Sequence, residues 1–240
     1  MNVLITGGAT GLGASITRKL ASNPHHKTYF TYASSGEKAS IIEQEFTNSK
    51  AIKCDFKNLN EVDNLVSSIP ELDIDILVNN AYSGSFLDSY FYKTTPIAFS
   101  ESFENNILPT IKITQAAIAS FRKKKFGKII TILTAALTNT PPIGSSIYVA
   151  NKAYLQQLSK IWATENGKFN ITSNTISPAF MRTSFTSTTD ERMLEQIINS
   201  HPLKKLLTTD EVADCICFLT DASQQINGID ILLNAGTNIK

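Results

Sequence analysis

At 240 residues and 42% hydrophobic content, the chain is long enough for one α/β domain with a sizeable core, and its formal net charge of +1 offers no global field for nucleic acid or an anionic membrane. The three cysteines, Cys54, Cys215 and Cys217, make no disulfide framework, and the three histidines, His25, His26 and His201, lack metal-ligand spacing, so no resident metal is expected. The opening MNVLITGGATGLG has no charged region ahead of an apolar core, and no apolar run approaches a membrane span, which predicts a soluble, cytoplasmic, reduced protein with no membrane partner.

Short apolar runs alternate with longer helical stretches. Strands are predicted at Asn2–Thr6, Lys27–Tyr32, Lys50–Phe56, Ile74–Asn80, Lys128–Leu133, Asn170–Ser177 and Ile229–Asn234. Between them lie helical segments at Ala14–Leu20, Gly36–Phe46, Asn60–Ile69, about Ile97–Lys125, Tyr148 to about Glu165, and Thr209–Asp221. This alternation implies a doubly wound parallel sheet of about seven strands, with helices on both faces. With no linker, repeat or low-complexity segment, the chain is read as one domain over 1–240. The basic run Arg122–Lys125 is either a solvated helix end or a docking patch for an acidic partner.

Two motifs carry chemistry. TGGATGLG, Thr6–Gly13, follows the first strand and opens the first helix, where bare N–H groups and absent side chains suit a pyrophosphate. The glycines are spaced GxxxGxG, at Gly7, Gly11 and Gly13. In IYVANKAY, Tyr148 and Lys152 are four residues apart and share one helix face. A free phenol titrates near about 10. An ammonium at about 4 Å, in an effective dielectric of about 20, favours the phenolate by about 4 kcal/mol, which brings the phenol close to neutral pH. General acid–base groups work best there.

These motifs resemble those of the short-chain dehydrogenase/reductase family, in its compact single-domain branch, and the resemblance covers essentially the whole chain. CDF places Asp55 at the family's adenine contact; NNAY stands where the family has NNAG; ENNILP supplies Asn106, TILT supplies Thr134 and YVANK supplies the Tyr–Lys pair. SPAFMRT stands for the family's PG turn with its Thr, here Thr183, and INGIDILLNAG resembles the family's ending. The layout is similar to that of 3-oxoacyl-(acyl-carrier-protein) reductases. The resemblance implies a Rossmann-like fold and a nicotinamide-dependent oxidoreductase interconverting a carbonyl and a secondary alcohol. Tyr148 is then the general acid/base and Lys152 holds the nicotinamide ribose. Thr134 bonds the substrate oxygen, and Asn106 supports a water chain. The cofactor would touch Gly7, Thr10, Gly11, Leu12, Gly13, Ser34, Ser35, Asp55, Asn80, Ala81, Tyr148, Lys152 and Thr183. A homodimer or homotetramer through the two long helices is also implied, as is a substrate lid over about 179–205.

The second strand ends in Tyr32, Ala33, Ser34 and Ser35, with Lys38 nearby and no carboxylate to repel a 2′-phosphate, which favours NADP(H) over NAD(H). Thr10, however, stands where many NADP-binding relatives carry a basic residue. Tyr82 replaces the Gly of NNAG and Ala179 the Gly of PG; either would be strained if its position required positive φ. Thr134 replaces Ser and keeps the hydroxyl. Aromatics in two segments, Phe86, Tyr90, Phe91, Tyr92, Phe180 and Phe185, are candidates to line the substrate pocket, and Arg182 to meet an anionic group. The substrate is read as a small carbonyl or alcohol, free or carrier-bound: a 3-oxoacyl thioester or a sugar or nucleotide-sugar intermediate. A non-catalytic nucleotide sensor on the same fold is the rival reading.

Overall fold

The structure, a computed structural model, describes residues 1–187 and 189–237. The domain expected over 1–240 and the lid expected over 179–205 each include residues outside this set, 238–240 and Thr188. Seven strands, β1 (Asn2–Ile5), β2 (Lys27–Tyr32), β3 (Ser49–Lys53), β4 (Ile76–Asn79), β5 (Gly127–Ile132), β6 (Ile171–Pro178) and β7 (Asp230–Leu233), form one sheet. All pairings are parallel, in the order β3-β2-β1-β4-β5-β6-β7. Seven α-helices connect them among the described residues: α1 (Gly11–Ala21), α2 (Gly36–Glu45), α3 (Leu59–Leu72), α4 (Pro96–Lys124), α5 (Ser146–Asn166), α6 (Glu191–Ser200) and α7 (Thr209–Asp221).

Strand periodicity divides the core into two layers. Val3, Ile5, Ile76, Val78, Ile130 and Ile132 point to the face covered by α1, α2 and α7. The alternate residues Leu4, Leu77 and Ile129 point to the face covered by α3, α4 and α5. Burial on both faces explains why these strands read as continuous apolar runs.

Most elements lie within a few residues of expectation, with one shortened strand and one added helix among the differences. β3 was expected through Phe56 but its ladder with β2 ends at the Tyr32–Lys53 pair, after which Cys54–Phe56 turn toward the strand ends. α6, in the segment expected as a lid, was not foreseen; Asp190 caps it by accepting the Arg192 N–H at 2.7 Å. The sheet order reverses between β1 and β4, and a crevice opens beyond their carboxyl ends, where ligands of such sheets bind.

Candidate functional site

The glycine turn is built by backbone geometry. Gly7 (φ +67°) and Gly11 (φ +51°) hold left-handed conformations, and a Cβ on Gly13 would lie 2.0 Å from the Gly7 carbonyl oxygen. Thr31 fixes the turn from β2: its Oγ1 accepts the Gly7 N–H and its carbonyl the Gly8 N–H, both at 2.8 Å. The Thr17 hydroxyl lies 3.0 Å from the Gly8 carbonyl and 2.9 Å from that of Gly13. Thr10 at the start of α1 makes no side-chain cap, and no carboxylate lies in the first turn, so the helix-end N–H groups face the crevice unclaimed. Such an end takes an anionic group. A cradle that a Cβ would fill, joined to an uncapped helix start, fits a dinucleotide pyrophosphate.

The crevice encloses about 710 Å³. It brings together Gly7, Thr10, Gly11, Leu12, Gly13, Ser34, Ser35, Asp55, Asn80, Ala81, Thr134, Tyr148, Lys152 and Thr183, all of them expected site residues. Asn80 also braces the turn, its Nδ2 donating to the Thr6 carbonyl at 2.9 Å and that of Gly7 at 3.1 Å. Asn106 is the exception: it does not line the crevice but lies behind its wall, 2% exposed. Its Oδ1 accepts the Ser83 N–H at 2.6 Å and its Nδ2 donates to the Ser83 carbonyl at 3.0 Å, which pins the loop after β4.

Tyr148 and Lys152 project from the first turns of α5, which starts where the NTPPIGSS segment ends. The Lys152 ammonium is buried and donates to the Ile132 carbonyl at 2.7 Å. It stands 5.8 Å from the centre of the Tyr148 ring. The expectation that this ammonium brings the phenol to neutral pH is corrected here. Burial dominates and pushes Tyr148 up to about 12, tempered by a hydrogen bond with Thr134. Burial likewise lowers Lys152 to about 8. The ammonium spends its shortest bond on a backbone carbonyl rather than on the phenol. At neutral pH Tyr148 is therefore a protonated donor beside a lysine close to losing its charge. The Thr134 oxygen accepts the Ala136 N–H at 3.3 Å, so its own O–H is the group that can donate to the Tyr148 oxygen or to a substrate oxygen.

A family profile described as enoyl-(acyl carrier protein) reductase matches residues 7–238. An acetoacetyl-CoA reductase of Rhizobium meliloti is 32% identical over 237 residues, covering 97% of this chain and 96% of its own. The chain belongs to the short-chain dehydrogenase/reductase family. A 3-oxoacyl-(acyl-carrier-protein) reductase of Mycobacterium bovis is 28% identical, covering 98% and 92% of the two chains. A short chain dehydrogenase of Burkholderia cenocepacia, solved in complex with NADP, superposes with a TM-score of 0.85 at 25% identity, covering 99% and 97%. The present chain is thus a short-chain dehydrogenase/reductase, an oxidoreductase of carbonyl and alcohol groups.

In this family member neither feared glycine replacement is strained. The positive-φ residues other than glycine are Asp73, Lys125, Asn170, Lys204 and Ala235 among those described, and neither Tyr82 nor Ala179 is one of them. Of the candidate aromatics, Phe86, Phe180 and Phe185 line the crevice, whereas Tyr90, Phe91 and Tyr92 face outward, 56%, 71% and 78% exposed. Phe185 packs on Tyr148, ring centres 5.8 Å apart. Arg182 is exposed and outside the crevice. Met193, Ile197 and His201, which the sequence reading missed, line it from α6 and the residue after it. The four-residue spacing of Met193 and Ile197 was the available signal for an apolar helix face.

The basic run ends α4 and precedes β5, so it lies at the amino-terminal end of the strands, opposite the crevice. Arg122 donates to Asn166 Oδ1 at 2.7 Å, and Lys124 pairs with Asp75 at 2.6 Å and Asp73 at 3.0 Å. Of the two openings, these contacts favour the helix-end reading, and the run lends no support to a carrier delivering substrate to Tyr148.

Proposed function

We propose that this enzyme reduces a 3-oxoacyl thioester to the 3-hydroxyacyl thioester, with NADPH as cofactor. The observation that carries this reading is the Tyr148 phenol set with the Thr134 hydroxyl and the Lys152 amine in the glycine-lined crevice. Bound there, the nicotinamide supplies the hydride. Tyr148 gives its proton to the carbonyl oxygen, and the Thr134 O–H donates to the same oxygen. Lys152, while cationic, holds the ribose hydroxyls, and Gly11, Leu12 and Gly13 offer backbone N–H groups to the pyrophosphate. Asp55 takes the adenine, Asn80 and Ala81 flank the cofactor, and Thr183 takes the carboxamide. The names of the relatives support the thioester, and the apolar walls Phe86, Phe180 and Ile197 suit an acyl chain.

NADP(H) is supported by the absence of a carboxylate in Ala33–Ser35. A second hollow of about 250 Å³ beside the glycine turn is also lined by Thr10, Gly11, Arg18 and Lys38. Arg18 is held by Glu45 at 2.6 Å, whereas Lys38 has no carboxylate partner among the described residues. A cytoplasmic homo-oligomer completes the reading. No described helix is long and apolar enough to cross a membrane, and Leu108, Tyr154 and Ile161 leave apolar area exposed on α4 and α5.

The test is a panel of 3-oxoacyl-CoA, 2-enoyl-CoA and ketosugar substrates with NADPH and NADH, followed at the nicotinamide absorbance. Turnover of 3-oxoacyl-CoA is expected, with kcat/KM at least about tenfold higher for NADPH, equivalent to ~1.4 kcal/mol. Lys38→Glu is expected to close that gap. Turnover of the enoyl substrate alone overturns the reading.

Reduction needs the phenol protonated and the ammonium charged. With Tyr148 near 12 and Lys152 near 8, kcat/KM for reduction is expected to be level through neutral pH and to fall above about 8. A profile still level at pH ~10, the ordinary lysine range, would mean that Lys152 is not the titrating group.

A further inference from the structure

We propose that Tyr82, which replaces the family's loop glycine, is a positioning residue of the active site: its ring closes the open side of the Tyr148–Lys152 pair and holds both. This rests on the catalytic roles proposed above. The Tyr82 ring meets the Tyr148 ring edge-on, with centres 5.1 Å apart and planes at 88°. The Lys152 nitrogen lies 5.3 Å from the Tyr82 ring centre, nearer than its 5.8 Å to Tyr148. The first contact has the geometry of a favourable aromatic pair, and the second that of an ammonium attracted to an electron-rich ring. Phe185 of the lid completes the enclosure, 5.9 Å from the Tyr82 ring at 79°.

The ring is placed from behind. Asn106 clamps Ser83, the next residue, through both its backbone groups. The Tyr82 hydroxyl reaches Asn151 Nδ2 at 3.4 Å and Ser102 Oγ at 3.5 Å, long contacts that add little. Asn151 itself donates to Ser102 Oγ at 2.9 Å, tying α5 to α4 beneath the ring. Asn106 thus acts through Tyr82, and the ring rather than the hydroxyl does the positioning.

Lys152 is the reporter. The groups about it are the phenols of Tyr82, from the loop, and Tyr148, from α5, together with the Ile132 carbonyl of β5; no carboxylate pairs with it among the described residues. A ring that excludes water and also offers a π face gives two opposite signatures. Tyr82→Ala admits water, so the Lys152 titration moves up toward the ordinary lysine value. Tyr82→Leu keeps an apolar cover without the π face, so the titration moves down. Tyr82→Phe keeps both the cover and the π face, so it leaves the titration where wild type has it.

The experiment is a pH titration of isotope-labelled lysine by NMR on the cofactor-free enzyme, with Lys152→Arg assigning the signal, alongside kcat and NADPH binding for each variant. Expected are a kcat loss of about tenfold or more in Tyr82→Ala and Tyr82→Leu, a change under about threefold in Tyr82→Phe, and NADPH affinity within about threefold throughout. An unmoved Lys152 titration in both Tyr82→Ala and Tyr82→Leu overturns the proposal. The NMR arm needs no turnover, so an enzyme inactive on the substrate panel would defeat the reaction assignment while leaving Tyr82 to be judged on its own.

Discussion

Tyr148→Phe is expected to lower kcat for 3-oxoacyl-CoA reduction by about 10²–10⁴-fold, the range of a positioned general acid. The substitution removes only the hydroxyl. The ring contacts with Tyr82 at 5.1 Å and Phe185 at 5.8 Å persist, so the segment around Phe185 and α5 keep their packing. NADPH affinity, read by nicotinamide fluorescence, is expected to change by less than about threefold, since the glycine turn is untouched. A uniform loss across pH is the signature to seek, because Phe titrates nowhere. Retention of wild-type kcat would show that another donor protonates the substrate. A collapse of NADPH affinity with little further loss in kcat would instead place Tyr148 in cofactor binding.

Gly13→Ala is expected to raise the NADPH dissociation constant by about 100-fold or more. The added Cβ would lie 2.0 Å from the Gly7 carbonyl oxygen and 2.7 Å from Asn80 Nδ2. The first of these is backbone and cannot rotate away, so the turn or α1 must move. Overpacking of this kind costs about 1–3 kcal/mol of stability, read as a lowered melting temperature. The larger loss falls on binding, because the same shift displaces the N–H groups at the start of α1. Gly36→Ala is the control. Its Cβ would sit 3.5 Å from the Tyr32 ring, an ordinary contact, in a helical backbone that favours Ala. That variant is expected to bind NADPH as wild type does and to melt no lower. If Gly13→Ala binds NADPH normally, the turn is not the pyrophosphate cradle.

The layers of the fold were legible because Val3, Leu4 and Ile5, and likewise Ile76, Leu77 and Val78, report burial on both faces directly in their composition. The glycine turn and the Tyr148–Lys152 face were legible for a similar reason: each depends on local spacing along one element. What failed depends on neighbours from elsewhere in the chain. The phenol was expected near neutral pH on the strength of one ammonium. Its surroundings, among them Tyr82 of the loop after β4 and Phe185, supply a larger and opposite desolvation. Asn106 was expected to support a water chain, a role the fold leaves open; what only the folded loop reveals is that its amide also holds Ser83 and Ser102. The outward Tyr90, Phe91 and Tyr92 share their composition with the inward Phe86, and a loop carries no periodicity to separate them.

The strand order also governs how the molecule is assembled. β1 precedes the other six strands in the chain and finds β2 within a few tens of residues, yet its other edge stays bare until β4 arrives. The Asn2 N–H that bonds Asp75 there spans 73 residues. Loop closure over such a distance is slow compared with the local β1–β2 pairing. The crevice is bounded by β1 and β4, so it cannot exist until those two strands have paired. A nascent chain halted before β4 would display an apolar strand edge at Val3–Ile5, a target for chaperones rather than for substrate.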